Sequence, residues 1–295
     1  MKDDLHDALE VLTRLGFRVE SIVPAEDPAI AMLSGHGVRL QVVRGEAPEV
    51  TGLAPLRPSF VLTRNDPEAW GLGRAGMQYR DLIPDRQGGR FIASHIRIPE
   101  GGPVADYVHF HAVRFQMIYC CKGWVRLVYE DQGAPFMMHA GDCVLQPPKI
   151  RHRVLDCSPG LEVIEIGSPA LHVTHADHEM TLPTPVVRLD RDFDGQRFLW
   201  HHSPEPGFAE GVLGIAAASG GVASARVSVN AVTGADVHEA ELLFGFVLQD
   251  AMSLTYEGAS QRLRAADAFV IPAEHPFELD AGTSDLAWLE VRVPA

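Results

Sequence analysis

The stretch QMIYCCKGWVRLVYE, residues 116–130, lines up with FGFVLQDAMSLTYEG, residues 244–258, with Tyr129-Glu130 matched by Tyr256-Glu257. A second pair, GDCVLQPPKIRH (141–152) and ADAFVIPAEHPF (266–277), follows at a similar interval in each half. Such a duplication means that one supersecondary unit is built twice. The unit is made of strands. Between residues 76 and 170 no segment has the length and period of a helix, and GRFIASHIRIP, FQMIYCCKG, WVRLVYE, CVLQPP and LEVIEIG are short, β-rich and separated by Gly, Pro or Asp. In WVRLVYE the alternation puts Val125, Leu127 and Tyr129 on one face. Evenly spaced short strands of this kind close into a barrel or a jelly roll, and 27 glycines with 21 prolines supply the turns. The expected fold class is therefore mainly β. Two tandem barrels occupy residues 76–170 and 196–295, with a linker at 171–195.

The opening segment differs. Leu5, Leu9, Leu12 and Leu15 recur at nearly helical spacing behind Asp3 and Asp4, whose charge suits a helix N-terminus, and Gly16 ends the helix. FRVESIV reads as a strand, and AIAMLSGHGVRLQVV as two strands joined by a tight turn. Residues 1–50 thus form a small αβββ unit, followed by a linker or covering arm at 51–75. The words LTRLGFRVE and LSGHGVRLQV resemble one half of a glyoxalase/bleomycin-resistance (vicinal oxygen chelate) module. In that family a strand ahead of the helix supplies the first metal ligand. That ligand has no counterpart here, so the resemblance implies a packing or dimerisation element rather than a second metal centre.

Chemistry-bearing residues concentrate in the first repeat. His109 and His111 are two residues apart, so on a strand both side chains share a face. Gln116 lies an odd step beyond, and residues 112–115 must turn or bulge for it to join them. His152 follows the bend that Pro147 and Pro148 force. A barrel interior can gather these segments. Imidazole suits Zn, Cu, Fe and Ni, and three neutral histidines with one oxygen donor leave positions open for substrate or water. For any one of the 14 histidines taken alone, an ordinary hydrogen-bonded strand residue is the competing reading.

This spacing resembles the cupin superfamily. Its first motif is H-x-H, three or four residues, Glu, six residues, Gly; here His109, His111 and Gly123 match, and Gln116 stands where the Glu belongs. The second motif is Gly, five residues, Pro-x-Gly, two residues, His; Gly141, Pro147 and His152 match, with Lys149 replacing the second Gly. The resemblance implies two cupin (double-stranded β-helix, jelly-roll) barrels with the metal motif intact in the first only. It implies one divalent transition metal (Fe, Zn, Mn, Ni or Cu, with Fe or Zn favoured) on His109, His111 and His152. Gln116 is either the fourth ligand or a hydrogen-bonding partner of bound water or substrate. His95 and Gln146 are further substrate-binding candidates, if they face the barrel interior. In the second repeat Asp236 takes the place of His109, His238 aligns with His111, Leu243 or Phe244 falls near Gln116, and Phe277 falls near His152. His275 is two residues out of register. Phenylalanine cannot bind a divalent ion, so this barrel is expected to be metal-free and to pack against its partner. The run HVTHADHE (His172, His175, Asp177, His178) reads as a solvated connector or a lid over the barrel mouth.

A formal net charge of −14 argues against a nucleic-acid partner. No apolar run is long enough to span a membrane, and MKDDLHDALE lacks a signal peptide's apolar core, so a cytoplasmic protein is expected. Cys120, Cys121, Cys143 and Cys157 form no C-x-x-C pair and read as reduced core cysteines. A small-molecule substrate is the expected partner, with a homodimer possible through edge strands that need covering. A neutral Gln116 leaves the ion's full charge for an anionic or chelating ligand. Three classes follow from the cupin resemblance: a non-haem iron dioxygenase acting on a small oxygenated or anionic molecule, a redox-neutral metal-dependent lyase, isomerase or cyclase, and a non-catalytic small-molecule-binding bicupin.

Overall fold

The computed structural model describes residues 5–46, 52–203, 207–230, 233–281 and 285–294. Strand alternation divides the side chains between separate cores. In Phe115–Lys122, Phe115, Met117 and Tyr119 point out of the first barrel while Ile118 and Cys120 point into it. In Leu242–Gln249, Leu242, Phe244 and Phe246 point outward, and Leu243 and Val247 turn into the second barrel. The two outward sets meet in one shared core that also holds Ile164, Ile166, Leu289 and Val291. Each barrel therefore has its own filling, and a third core joins them face to face.

The first barrel pairs two sheets. One contains, in order, Leu199–His201, Cys143–Gln146, Phe115–Lys122, Leu161–Ser168, Ile92–Ile98, Gln78–Asp81 and Gly71–Leu72. The other runs Phe136–His139, Trp124–Tyr129, His152–Cys157, His109–His111 and Thr174–Ala176, then continues into Arg18–Val23, Ile30–Gly35 and Val38–Val43. The N-terminal unit is thus an extension of the barrel sheet. Its helix Leu5–Arg14 buries Leu5 against Ile22, Ala31 and Leu33, and its hairpin turns at His36 and Gly37, both at positive φ (53° and 79°) as a type I′ turn requires.

Two segments expected to be connectors are structural. Thr174–Ala176, in the 171–195 segment, is the strand that bridges Arg18–Val23 to His109–His111. In the 51–75 arm, Val61–Thr63 pairs with Ala268–Ile271 of the second barrel, and Phe60 stacks on Tyr256 at 4.2 Å. Conversely Leu199–His201, assigned by sequence to the second barrel, pairs with Cys143–Gln146 of the first. The arm thereby covers an edge of the second barrel, and Leu199–His201 covers an edge of the first, which removes unpaired backbone from both. All four cysteines are free thiols. Burial pushes the Cys120 thiol up to about 12, so it stays protonated and inert.

Candidate metal centre

His109 and His111 occupy a three-residue strand and are both buried. Their partner strand begins at His152, which pairs directly with His109. The chain then turns through residues 112–114 and crosses into the opposite sheet at Phe115. That crossing resets the parity, and Gln116 enters the same interior as the histidines. Lys149, in the motif's glycine place, keeps a left-handed backbone (φ 62°), and its N–H donates to the His111 carbonyl at 3.1 Å. Gly141 cannot be replaced so simply: a Cβ there meets the Gly207 carbonyl oxygen at 2.4 Å.

Each histidine is anchored through Nδ1. His109 Nδ1 donates to the Tyr107 carbonyl at 2.8 Å and His152 Nδ1 to the Ile150 carbonyl at 3.0 Å, while His111 Nδ1 is hydrogen-bonded to the Thr174 hydroxyl at 2.9 Å. A carbonyl acceptor fixes the proton on Nδ1 of His109 and His152 and leaves Nε2 as their lone-pair nitrogen, and the Thr174 hydroxyl holds the His111 ring in place, the arrangement by which outer partners orient metal-binding imidazoles. The ligand atoms of the three lie within 4.8 Å of one another, and among the described residues no other group of three His, Cys, Asp or Glu does so. The donor set fits a divalent ion.

The two glutamines lie together beside the histidines. They face each other across paired strands. Gln146 Nε2 approaches His152 Nε2 at 3.1 Å and Gln116 Oε1 at 3.3 Å, while its Oε1 accepts from the Tyr129 hydroxyl at 3.0 Å. Gln116, expected as fourth ligand or as hydrogen-bonding partner of bound water or substrate, accepts from Gln146, and its own buried Nε2 has no hydrogen-bond partner among the described residues. Gln146, a lesser candidate, lines the cavity beside the histidines. Burial raises the Tyr129 pKa above its ordinary value, so its hydroxyl stays a neutral donor.

A cavity of about 70 Å³ opens from the three histidines into the barrel. Its walls are mainly apolar, including Met77, Ile96, Ile118, Val125, Met138 and Val163. The one charged side chain lining it is Glu165, which sequence reasoning missed. It lies opposite Ile118 in the paired strands, one step along the inward face from Gln116. The signal was a glutamate on the face that otherwise carries Leu161 and Val163 in LEVIEIG.

His95 does not face this cavity. Ile96 and Ile98 do, so the odd position turns toward the second barrel, where the His95 ring meets Phe246 at 5.4 Å and Trp70 at 4.9 Å. Arg80 donates to its Nδ1 at 2.9 Å, and its Nε2–H donates to Glu162 at 3.0 Å. Burial lowers the His95 pKa, and the hydrogen bond from His95 holds the Glu162 carboxyl down at about 2. The run HVTHADHE is likewise no solvated connector. His172 is buried with its ring edge-on to His111 at 5.4 Å and its Nδ1 on the Pro169 carbonyl. His175 stacks on Phe110, Asp177 pairs with Arg151, and His178 contacts the Val19 carbonyl.

In the second barrel the register repeats and the chemistry does not. Asp236 pairs with Phe277 as His109 pairs with His152, and Leu243 with Ile271 as Gln116 with Gln146. His238 is buried with Nε2 on the Ile271 carbonyl and Nδ1 accepting from the Ala240 N–H, so both ring nitrogens are used. His275 is exposed and contacts the Tyr256 hydroxyl. Phe277 and Phe269 fill the interior; a Cβ on Gly245 meets the Phe269 ring at 2.1 Å. Phe277→Ala is expected to destabilise the protein by about 3–5 kcal/mol in denaturant unfolding. A loss under about 1 kcal/mol means that Phe277 is not a core residue.

No protein-family model matches the chain, and no curated protein does. Solved structures do. A deletion variant of Bacillus subtilis oxalate decarboxylase aligns with a TM-score of 0.53 at 11% identity, covering 84% of this chain and 80% of that one. A variant of the Pseudoaminobacter salicylatoxidans salicylate 1,2-dioxygenase in complex with gentisate aligns with a TM-score of 0.54 at 17% identity, covering 77% of each chain. The chain thus has the tandem cupin fold of the bicupins, two jelly-roll barrels of which the first carries a buried cluster of three histidines.

Proposed function

We propose that the protein is a metal-dependent enzyme acting on a small molecule, and that the first barrel holds the ion on His109, His111 and His152. The observation that carries this is the convergence of three buried imidazoles whose ligand atoms lie within 4.8 Å of one another and whose rings are each held by a hydrogen bond at Nδ1. A divalent ion there supplies Lewis acidity to a substrate oxygen and, if it is iron, redox chemistry with dioxygen. The structures of similar fold include an oxalate decarboxylase described as having Mn(II) centers and a salicylate 1,2-dioxygenase, and the first of these is a precedent for a metal in this fold.

The chain's own residues do the rest. The apolar walls exclude water, which strengthens electrostatic interactions with the polar end. Gln146, held by Tyr129, is placed to hydrogen-bond a substrate oxygen beside His152. Glu165 is the group that can take a proton from the substrate as it binds, at a carboxylate oxygen. The mainly apolar lining beside the histidines supports the non-haem iron dioxygenase reading. Glu165 favours a second reading, a redox-neutral lyase, isomerase or cyclase, because proton transfer alone could drive such a reaction.

The two readings separate on one experiment. Protein purified without added metal is assayed for bound metals, then reloaded with Fe(II) in air or with Zn(II) under argon. Oxygen consumption that requires iron supports the dioxygenase, and equal product formation with zinc supports the redox-neutral enzyme. Absence of stoichiometric metal after native purification and after reloading overturns both. Thr174→Val, which removes the hydroxyl hydrogen-bonded to His111 Nδ1, is expected to weaken metal affinity by about 10–100-fold. Unchanged affinity in a metal titration shows that Thr174 does not orient the ring.

A further inference from the structure

Resting on that reading, we infer that the substrate is a compact, largely apolar molecule with a single oxygen-bearing chelating head and no second anionic group. Among the described residues no lysine or arginine lines the cavity, whose one charged side chain is the anionic Glu165. The arginines near the barrel are engaged elsewhere. Arg80 is bound to His95 and to the carbonyls of Arg64 and Ala266. Arg97 bonds Gln78 and lies 3.9 Å over the Trp70 ring, and Arg151 pairs with Asp177 over Phe110.

A metal ion neutralises the charge of one chelating head. A carboxylate at the other end of the ligand would then be buried among Ile96, Val125, Leu127 and Val163. Burial of an unpaired carboxylate is strongly unfavourable. Size points the same way. The cavity of about 70 Å³ is near half the ~150 Å³ that accommodates benzene in an engineered apolar core. Ligands longer than a few carbons fit only if Met77 or Met138, unbranched and adaptable, move aside.

A neighbouring cleft carries the same bias. Tyr79 lines this cavity and also a wider cleft of about 650 Å³ whose charged residues are Glu26, Asp27, Asp81, Arg44 and Arg86. There Arg86 is paired with Glu26 and Asp81, and Arg44 with Asp27. Neither arginine is left to attract an anion.

The test is binding to the full-length zinc-loaded protein, which separates recognition from turnover. Butyrohydroxamate and succinomonohydroxamate share a chelating head and differ by a terminal methyl against a terminal carboxylate. In titration calorimetry the methyl-ended ligand is expected to bind at least ~100-fold more tightly. Val163→Lys, which places a cation in the wall, should narrow or reverse the gap. Equal or tighter binding of the carboxylate-ended ligand overturns the inference while leaving the metal centre standing, as does failure of butyrohydroxamate to bind protein shown to hold zinc. Failure to take up zinc at all overturns both this inference and the proposed function.

Discussion

His109→Ala protein is expected to lose stoichiometric metal while keeping its fold. His109 is the ring with the shortest centroid separation to another in the cluster, 4.2 Å from His152, and it is locked to the Tyr107 carbonyl. Removing a direct ligand should weaken binding by more than the ~10–100-fold typical of losing an outer partner. The effect should also appear in unfolding. An ion that binds only the native state stabilises it by about 2.7 kcal/mol at a hundredfold excess over Kd. Added metal should therefore raise the melting temperature of the wild type and of His275→Ala, whose ring is exposed in the other barrel. It should leave His109→Ala unmoved. If His109→Ala retains metal and the metal-dependent melting shift, the histidine cluster is not the binding site.

Much of this architecture was legible in the sequence because the duplication and the motif spacing are local patterns. The pairing of Asp236 with Phe277 reproduces that of His109 with His152, so the two repeats superpose in the way their sequences align. What escaped were facts set by distant segments. Period-two alternation tells which side chains share a face, but not which face is inward when both are buried. Ile92–Ile98 is buried on both faces over its first five residues, and His95 was accordingly open to either side. The shared core between the barrels decides it. Thr174 could be recognised as the partner of His111 only once Thr174–Ala176 was placed beside His109–His111. The placing of Val61–Thr63 and Leu199–His201 has the same origin: three-residue edge strands carry too little pattern to reveal their partners.

Glu165 changes the electrostatic expectation drawn from Gln116. With an amide in the motif's acidic position, the sequence suggested a centre without a nearby carboxylate. The structure supplies one from the adjacent strand Leu161–Ser168, opposite Ile118 rather than at 116. Its charge reaches both Tyr129 and His172, where it opposes loss of the proton. A carboxylate there can do what the motif glutamate would do, from another backbone position. Glu165→Gln is therefore expected to lower kcat by about 10²–10⁴, the usual contribution of a positioned general base. Metal content and unfolding midpoint should stay near wild type, because the amide keeps the volume and an acceptor oxygen. Adding Gln116→Glu to this variant returns a carboxylate to the same inward face and should recover part of the lost rate. A purely structural role for Glu165 would show as a lowered midpoint with no such rescue. Wild-type kcat in Glu165→Gln, with metal bound, would remove proton transfer by this residue from the mechanism and leave only its effect on which ligands enter.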